Sequence, residues 1–210
     1  MSITESTAQR YTALDPDVRL MLEVRDDNAA AFEELVSRYQ RRLVTVLTNV
    51  VGRREHAEDL AQDVFLRVYR ARKSYEPGAK FSTWLFTIAN NVANNALRSL
   101  SRRKEVNVAV QQSGEVSIKP MDEMAQAASA LMPARQLDKL EMAEVVRLAM
   151  ESLNERQRMA LLLSKFEDMS YADIAETMDL SVQAVKSLLS RARENLKIIL
   201  EPYMQEGSRP

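Results

Sequence analysis

Through most of this chain apolar residues recur every three or four positions, the spacing that gathers them on one side of an α-helix. After Asn28, whose side chain suits a helix N-cap, Phe32, Leu35, Val36, Tyr39, Leu43, Val46, Leu47 and Val50 form one such face, and the pattern stops at Gly52. A second helix is predicted from about Glu55. Ala57, Leu60, Ala61, Val64, Phe65, Val68 and Tyr69 point inward, and Asp59, Gln62, Asp63, Arg67 and Arg70 outward. It stops before Tyr75-Glu76-Pro77-Gly78, because proline removes an amide donor and glycine favours a turn. A third helix is predicted from about Ser82 to Arg103, and a short one from Asp17 to Arg25. Over 105–133 the periodicity fades, with Pro120 and Pro133 interrupting it, and helical spacing returns at Leu140, Val145, Leu148 and Met150 and again through Phe166.

Only 4 Gly and 6 Pro in 210 residues leave little punctuation for a strand-rich fold. The expected fold is therefore all-α: two small helical domains, 15–104 and 138–204, joined by a flexible acidic linker over 105–137. The first nine residues have no apolar core behind a basic start, and no run is long enough to span a membrane, so a cytoplasmic protein is expected. With no cysteine and His56 as the single histidine, disulfides, thiolate zinc sites and His-based triads are excluded. The four glycines cannot build a phosphate loop. No catalytic residue, metal or cofactor is expected. His56, beside Glu55 and Glu58, reads as a solvated first-turn side chain.

The net charge of −1 conceals an uneven distribution. Arg98, Arg102, Arg103 and Lys104 form one basic cluster, and Lys186, Arg191, Arg193 and Lys197 another; the acids Glu105, Glu115, Asp122 and Glu123 lie between. In the third helix Thr87, Asn90, Asn91, Asn94, Asn95 and Arg98 oppose the apolar stripe. Asn is a poor helix former, so four of them suit base edges better than plain solvation. Half of the chain's aromatics lie between Phe65 and Phe86. Phe65, Tyr69 and Trp84 have core spacing, whereas Tyr75, Phe81 and Phe86 are expected to be available for stacking on unpaired bases.

Ser170 followed by Asp173 reads as a capping box, Asp179-Leu180 as a tight turn and Ser181 as the N-cap of the last helix. This is a helix-turn-helix layout with Gln183, Lys186, Ser187, Ser190 and Arg191 exposed where a second helix meets a major groove.

Taken together, Asp59 to Phe65, Phe81 to Asn91, Leu153 to Arg158, Tyr171 to Ala175 and Val185 to Arg193 resemble the extracytoplasmic-function (ECF) sigma factors of the bacterial sigma-70 family. The resemblance covers about 17–104 and 138–202. It implies a sigma domain 2 over 15–104 and a sigma domain 4 over 138–204. Asp59, Gln62, Asp63 and Arg67 would then dock the polymerase clamp. Tyr75, Phe81 and Trp84, with Asn90, Asn91, Asn94 and Arg98, would melt and read the minus-10 element. Gln183, Lys186, Ser187, Ser190 and Arg191 would read the minus-35 element. The implied partners are core RNA polymerase, through its clamp and flap regions, and promoter DNA, with room for an anti-sigma factor and none for a membrane. Asp179 stands where the family commonly has glycine, and Leu188 where some members place a basic residue. Two readings stay open beside this one: a stand-alone helix-turn-helix regulator, and a helical interaction protein that binds no DNA.

Overall fold

The computed structural model describes the backbone of residues 3–111 and 144–206, and among these the only regular elements are helices. The first group comprises α1 (Ile3–Leu14), α2 (Pro16–Arg25), α3 (Ala29–Val51), α4 (Arg54–Ala71), a 3-10 turn at Arg72–Ser74 and α5 (Phe81–Gln111). The second comprises α6 (144–151), α7 (Glu155–Phe166), α8 (Tyr171–Met178) and α9 (Val182–Glu206).

Short polar side chains set most of the helix starts. Asn28 accepts from the amides of Ala30 and Ala31, and Gly52, at φ 79°, ends α3 in the left-handed region that glycine enters without strain. Asn154 with Gln157, and Ser170 with Asp173, form reciprocal capping boxes. Asp15 serves two helices at once: one carboxylate oxygen accepts from the Asp17 amide in α2, and the other from the Phe81 amide that opens α5, each at 2.9 Å. Asp179 ends α8 at φ 53°, a conformation that Asp tolerates better than most residues.

α3 lies at the centre of the first group, against α2, α4 and α5. Its face Leu35, Tyr39, Leu43, Val46, Leu47 and Val50 is buried as the spacing predicts. In the second group Leu153, Met159, Leu162, Leu163, Ile174, Val185, Leu189 and Ala192 pack together. The two cores are continuous, because α7 lies against α3 and α8 against α5. Polar ties cross this junction. Arg42 donates to Glu167, Lys80 to Asp173 at 3.1 Å, and Asn90 to the Thr177 carbonyl at 3.5 Å. The Arg158 guanidinium donates to the carbonyls of Met150, Glu151 and Leu153, where α6 turns into α7, and to that of Asn49 in α3.

Helix α5 runs on to Gln111, past the expected domain boundary at 104. Val106, Val108 and Val110 lower helix propensity there, but extending an existing helix requires no new nucleus. The remainder of the expected linker, 112–137, lies outside the described residues. α1 was not anticipated, because its sequence has no clean apolar stripe; it is held by packing on α2, with Tyr11 half-buried against the core.

Candidate nucleic-acid interface

The aromatic residues around the Pro77-Gly78 turn are not displayed for stacking. Phe81 and Phe86 are fully buried and Tyr75 is 4% exposed. Phe81 packs edge-on against Tyr39 at 5.2 Å between ring centroids, Tyr75 against Trp84 at 4.8 Å, and Phe81 lies 6.0 Å from Trp84. Their area is worth more inside the core than on a polar surface, and Phe81 and Phe86 lie on the buried side of α5. Burial pushes the Tyr75 phenol up from its usual range, and the Asp15 carboxylate adds to this. Of the predicted aromatic trio Tyr75, Phe81 and Trp84, only Trp84 keeps a half-buried surface.

The polar face of α5 divides in two. Asn91, Asn95 and Arg98 are exposed, Asn94 is half-buried, and Asn90 is 7% exposed beneath α8. Asn90 shares its side of the helix with Thr83 and Thr87, since positions three or four apart stack on one face. The Thr87 hydroxyl donates to the Thr83 carbonyl at 2.8 Å, and the buried Thr83 hydroxyl has no hydrogen-bond partner.

The start of α9 conforms to expectation in exposure. Gln183, Lys186, Ser187, Ser190 and Arg191 are all exposed, while Val185, Leu189 and Ala192 face the core. Ser181 caps the helix by accepting from the Ala184 amide at 3.1 Å. Arg193, which the sequence left outside the reading set, donates to the Tyr171 hydroxyl at 3.3 Å. That contact, with Lys186 and Lys165 nearby, lowers the Tyr171 phenol from its usual range.

On α4, Asp59, Gln62 and Arg67 are exposed and Asp63 is half-buried, bonded to Arg67 one turn on at 3.0 Å. These four residues do not share one cavity. Gln62 lines a groove of about 1200 Å³ between α3 and α4, with Gln40, Arg41, Val44, Leu66 and Tyr69. Asp59 instead lines a smaller crevice with His56 and Leu100. Leu66 is 53% exposed and Tyr69 41% exposed, although Tyr69 was expected to point inward. Its ring packs on Phe32 at 5.1 Å and under the Arg72 guanidinium at 4.0 Å. Leu66 was legible in one respect: it is an apolar residue out of register with the inward stripe of α4.

Among the described residues no group of three or more His, Cys, Asp or Glu is placed to hold a metal, and no helix is long and apolar enough to cross a membrane. What the surface offers is an Asn/Arg strip on α5, a Lys/Arg/Ser/Gln helix start on α9 and a partly apolar groove on α3 and α4. These are means of binding.

A family model for sigma-70 region 2 matches residues 35–103, and one for sigma-70 region 4 matches 143–196. The "RNA polymerase sigma-H factor" of Pseudomonas aeruginosa is 31% identical over 92% of this chain and 98% of that protein. The "ECF RNA polymerase sigma-E factor" of Haemophilus influenzae is 32% identical over 90% of this chain and 97% of the relative. Among solved structures, CnrH in complex with the cytosolic domain of CnrY has a TM-score of 0.62 at 22% identity, covering 90% of this chain and 99% of CnrH. The sigma factor RpoE of Bartonella quintana, in complex with the anti-sigma factor NepR, has a TM-score of 0.57 at 23% identity, over 81% of this chain and 96% of RpoE.

Proposed function

This chain belongs to the sigma-70 family as an RNA polymerase sigma factor of its ECF group, and from that premise we propose how its residues divide promoter recognition between them. Residues 15–104 act as sigma domain 2 and 138–204 as sigma domain 4, with 105–137 connecting them. The protein acts in the cytoplasm by binding alone, with no catalytic step of its own. Core RNA polymerase and promoter DNA are its working partners, and an anti-sigma factor is the inhibitory partner this reading admits.

The observation that carries the assignment is the start of α9. Five side chains able to reach base edges or phosphates are exposed together on a helix whose opposite face is locked into a helix-turn-helix core. Lys186, Ser187, Ser190 and Arg191, with Gln183, read the minus-35 duplex. On α5, Asn91, Asn94 and Arg98 read the unpaired minus-10 strand, joined by Asn90 when it is uncovered. The buried Tyr75 and Phe81, packed with Trp84, support that helix start as a rigid platform. The α4 residues Asp59, Gln62, Asp63 and Arg67 face the polymerase clamp.

The test is transcription in vitro with core polymerase on a library of genomic fragments. Discrete start sites that depend on this protein are expected, together with capture of core polymerase from a mixture. A stand-alone regulator or a scaffold would capture no core enzyme, and that outcome would reject this reading.

A further inference from the structure

Asp15 links α1 to α2, and its surroundings aim its side chain. Its amide donates to the Tyr11 carbonyl at 2.9 Å, and the Arg19 guanidinium donates to the Thr12 and Ala13 carbonyls just before it. Pro16 restricts the backbone of the residue it follows, and Asp15 stands extended at φ −112° and ψ 110°. One carboxylate oxygen caps α2 and the other accepts from the Phe81 amide, 66 residues along the chain, each at 2.9 Å. That second acceptor is one that α5 lacks locally. Lys80, the residue before the helix, has no acceptor atom in its side chain, and its ammonium donates to Asp173 instead.

The amide held by Asp15 opens the turn of helix that carries the aromatic cluster. Phe81 packs against Tyr39, and Trp84, one turn on, lies 4.8 Å from Tyr75 and 6.0 Å from Phe81 with part of its surface in solvent. The Tyr75 hydroxyl is buried without a hydrogen-bond partner, so packing alone holds that side chain before the Pro77-Gly78 turn. The first amides of a helix have no partner within it, and a carboxylate there supplies both an acceptor and a charge that suits the helix dipole. Beyond this turn Leu85, Phe86, Ala89, Val92 and Ala93 are buried along α5, so the strip of Asn91, Asn94 and Arg98 is fixed by packing of its own.

We propose that Asp15 is a positioning residue for promoter opening: through the Phe81 amide it holds the first turn of α5, and with it the Trp84 side chain, in place for the step that opens the duplex. It acts through the helix start and needs no contact with DNA, whose phosphates would repel its charge. The inference rests on the promoter reading above and deepens it, since it gives the link between α1 and α2 a part in opening and none in reading bases.

Wild type, Asp15→Ala, Asp15→Asn and Asn28→Ala are compared as full chains with core polymerase, on a promoter that the wild-type chain selects from genomic fragments. In Asp15→Asn the one amide oxygen keeps the adjacent α2 cap, and the NH2 group in place of the second oxygen cannot accept from Phe81. Asn28→Ala removes a cap of the same kind from α3 and touches no bond of α5. Trp84 is the chain's only tryptophan, so its quenching by acrylamide in the free chain reports on the start of α5. Both Asp15 variants should leave Trp84 more open to the quencher and lower open-complex formation on duplex promoter about tenfold, the size of one lost hydrogen bond to a charged group. On a template already unpaired at the minus-10 element they should return to the wild-type level, and Asn28→Ala should match wild type on both templates. Wild-type opening by Asp15→Asn, an equal loss in Asn28→Ala, or a defect that persists on the unpaired template overturns the proposal. Asp15→Asn decides the matter if the alanine variant folds poorly. Capture of core polymerase is scored throughout. If the wild-type chain captures none, the promoter reading fails and this inference with it, whereas capture with normal opening by the Asp15 variants removes Asp15 alone.

Discussion

The guanidinium of Arg42, midway along α3, donates to the carboxylate of Glu167 just past the end of α7, joining residues 125 apart in the chain. Glu167 is the more deeply buried partner, and its carboxyl lies above the ordinary range because burial outweighs Arg42. A group raised in the folded state contributes stability that is fully present below its unfolded value of 4.5 and is lost as pH rises through the folded one. Glu167→Gln should therefore remove this loss, leaving the melting temperature near pH 7.5 unchanged or higher. Arg42→Ala should cost about 2 kcal/mol at that pH, below the usual range for a broken buried pair because Arg42 keeps contact with water. That corresponds to roughly 4–8 °C by calorimetry. Equal destabilisation by the two variants would contradict this account.

Asp15 joins α2 to α5 through its two oxygens, so its removal acts at two helix starts. Loss of one N-cap costs about 1 kcal/mol, and Asp15→Ala should cost about 2 kcal/mol in urea denaturation, with the slope of the transition preserved. Asp15→Asn keeps one acceptor oxygen and should recover about half. No loss for the alanine variant would mean that packing, and not the carboxylate, sets the start of α5.

At Asp179 the backbone already occupies the left-handed region, with the Leu180 amide bonded to the Ala175 carbonyl at 2.9 Å. Asp179→Gly should leave stability unchanged or raise it by up to about 1 kcal/mol, whereas Asp179→Val should lower it by about 1–2 kcal/mol. Both should retain the helix content seen by circular dichroism. A valine variant as stable as the glycine variant would show that the turn has another conformation available.

On the proposed division of DNA contacts, Lys186→Ala and Arg191→Ala should each reduce the slope of log affinity against log salt for minus-35 duplex by about one. Asn91→Ala should leave that slope intact and lower open-complex formation with polymerase by about 10- to 100-fold, the size of one lost base contact. The asparagine defect should persist on a template already unpaired at the minus-10 element. Normal initiation there would remove Asn91 from the strand-reading surface.

The helices were legible because their causes are local. Apolar spacing predicted the buried faces of α3 and α4, and Asn28, Gly52, Ser170 with Asp173, and Asp179 marked their own turns through side-chain hydrogen bonds and allowed backbone angles within a few residues. The exposed start of α9 followed from the same periodicity, since a helix whose one face packs must show the other. Periodicity misjudged Tyr69, which lies on the apolar side of α4 but at its rim, where Phe32 and Arg72 hold the ring half in solvent.

What the sequence by itself determined was the helical fold, most helix ends and the family to which the chain is similar, all read from short-range pattern and motif order. Only the tertiary structure decided that Tyr75, Phe81 and Phe86 are interior, that Leu66 and Tyr69 border a groove with α3, and that Asn90 parts from Asn91 by lying under α8. Each of these depends on what an element packs against. A helix face is polar or apolar by composition, but it becomes buried only when another segment, here as far as 125 residues away, comes to cover it.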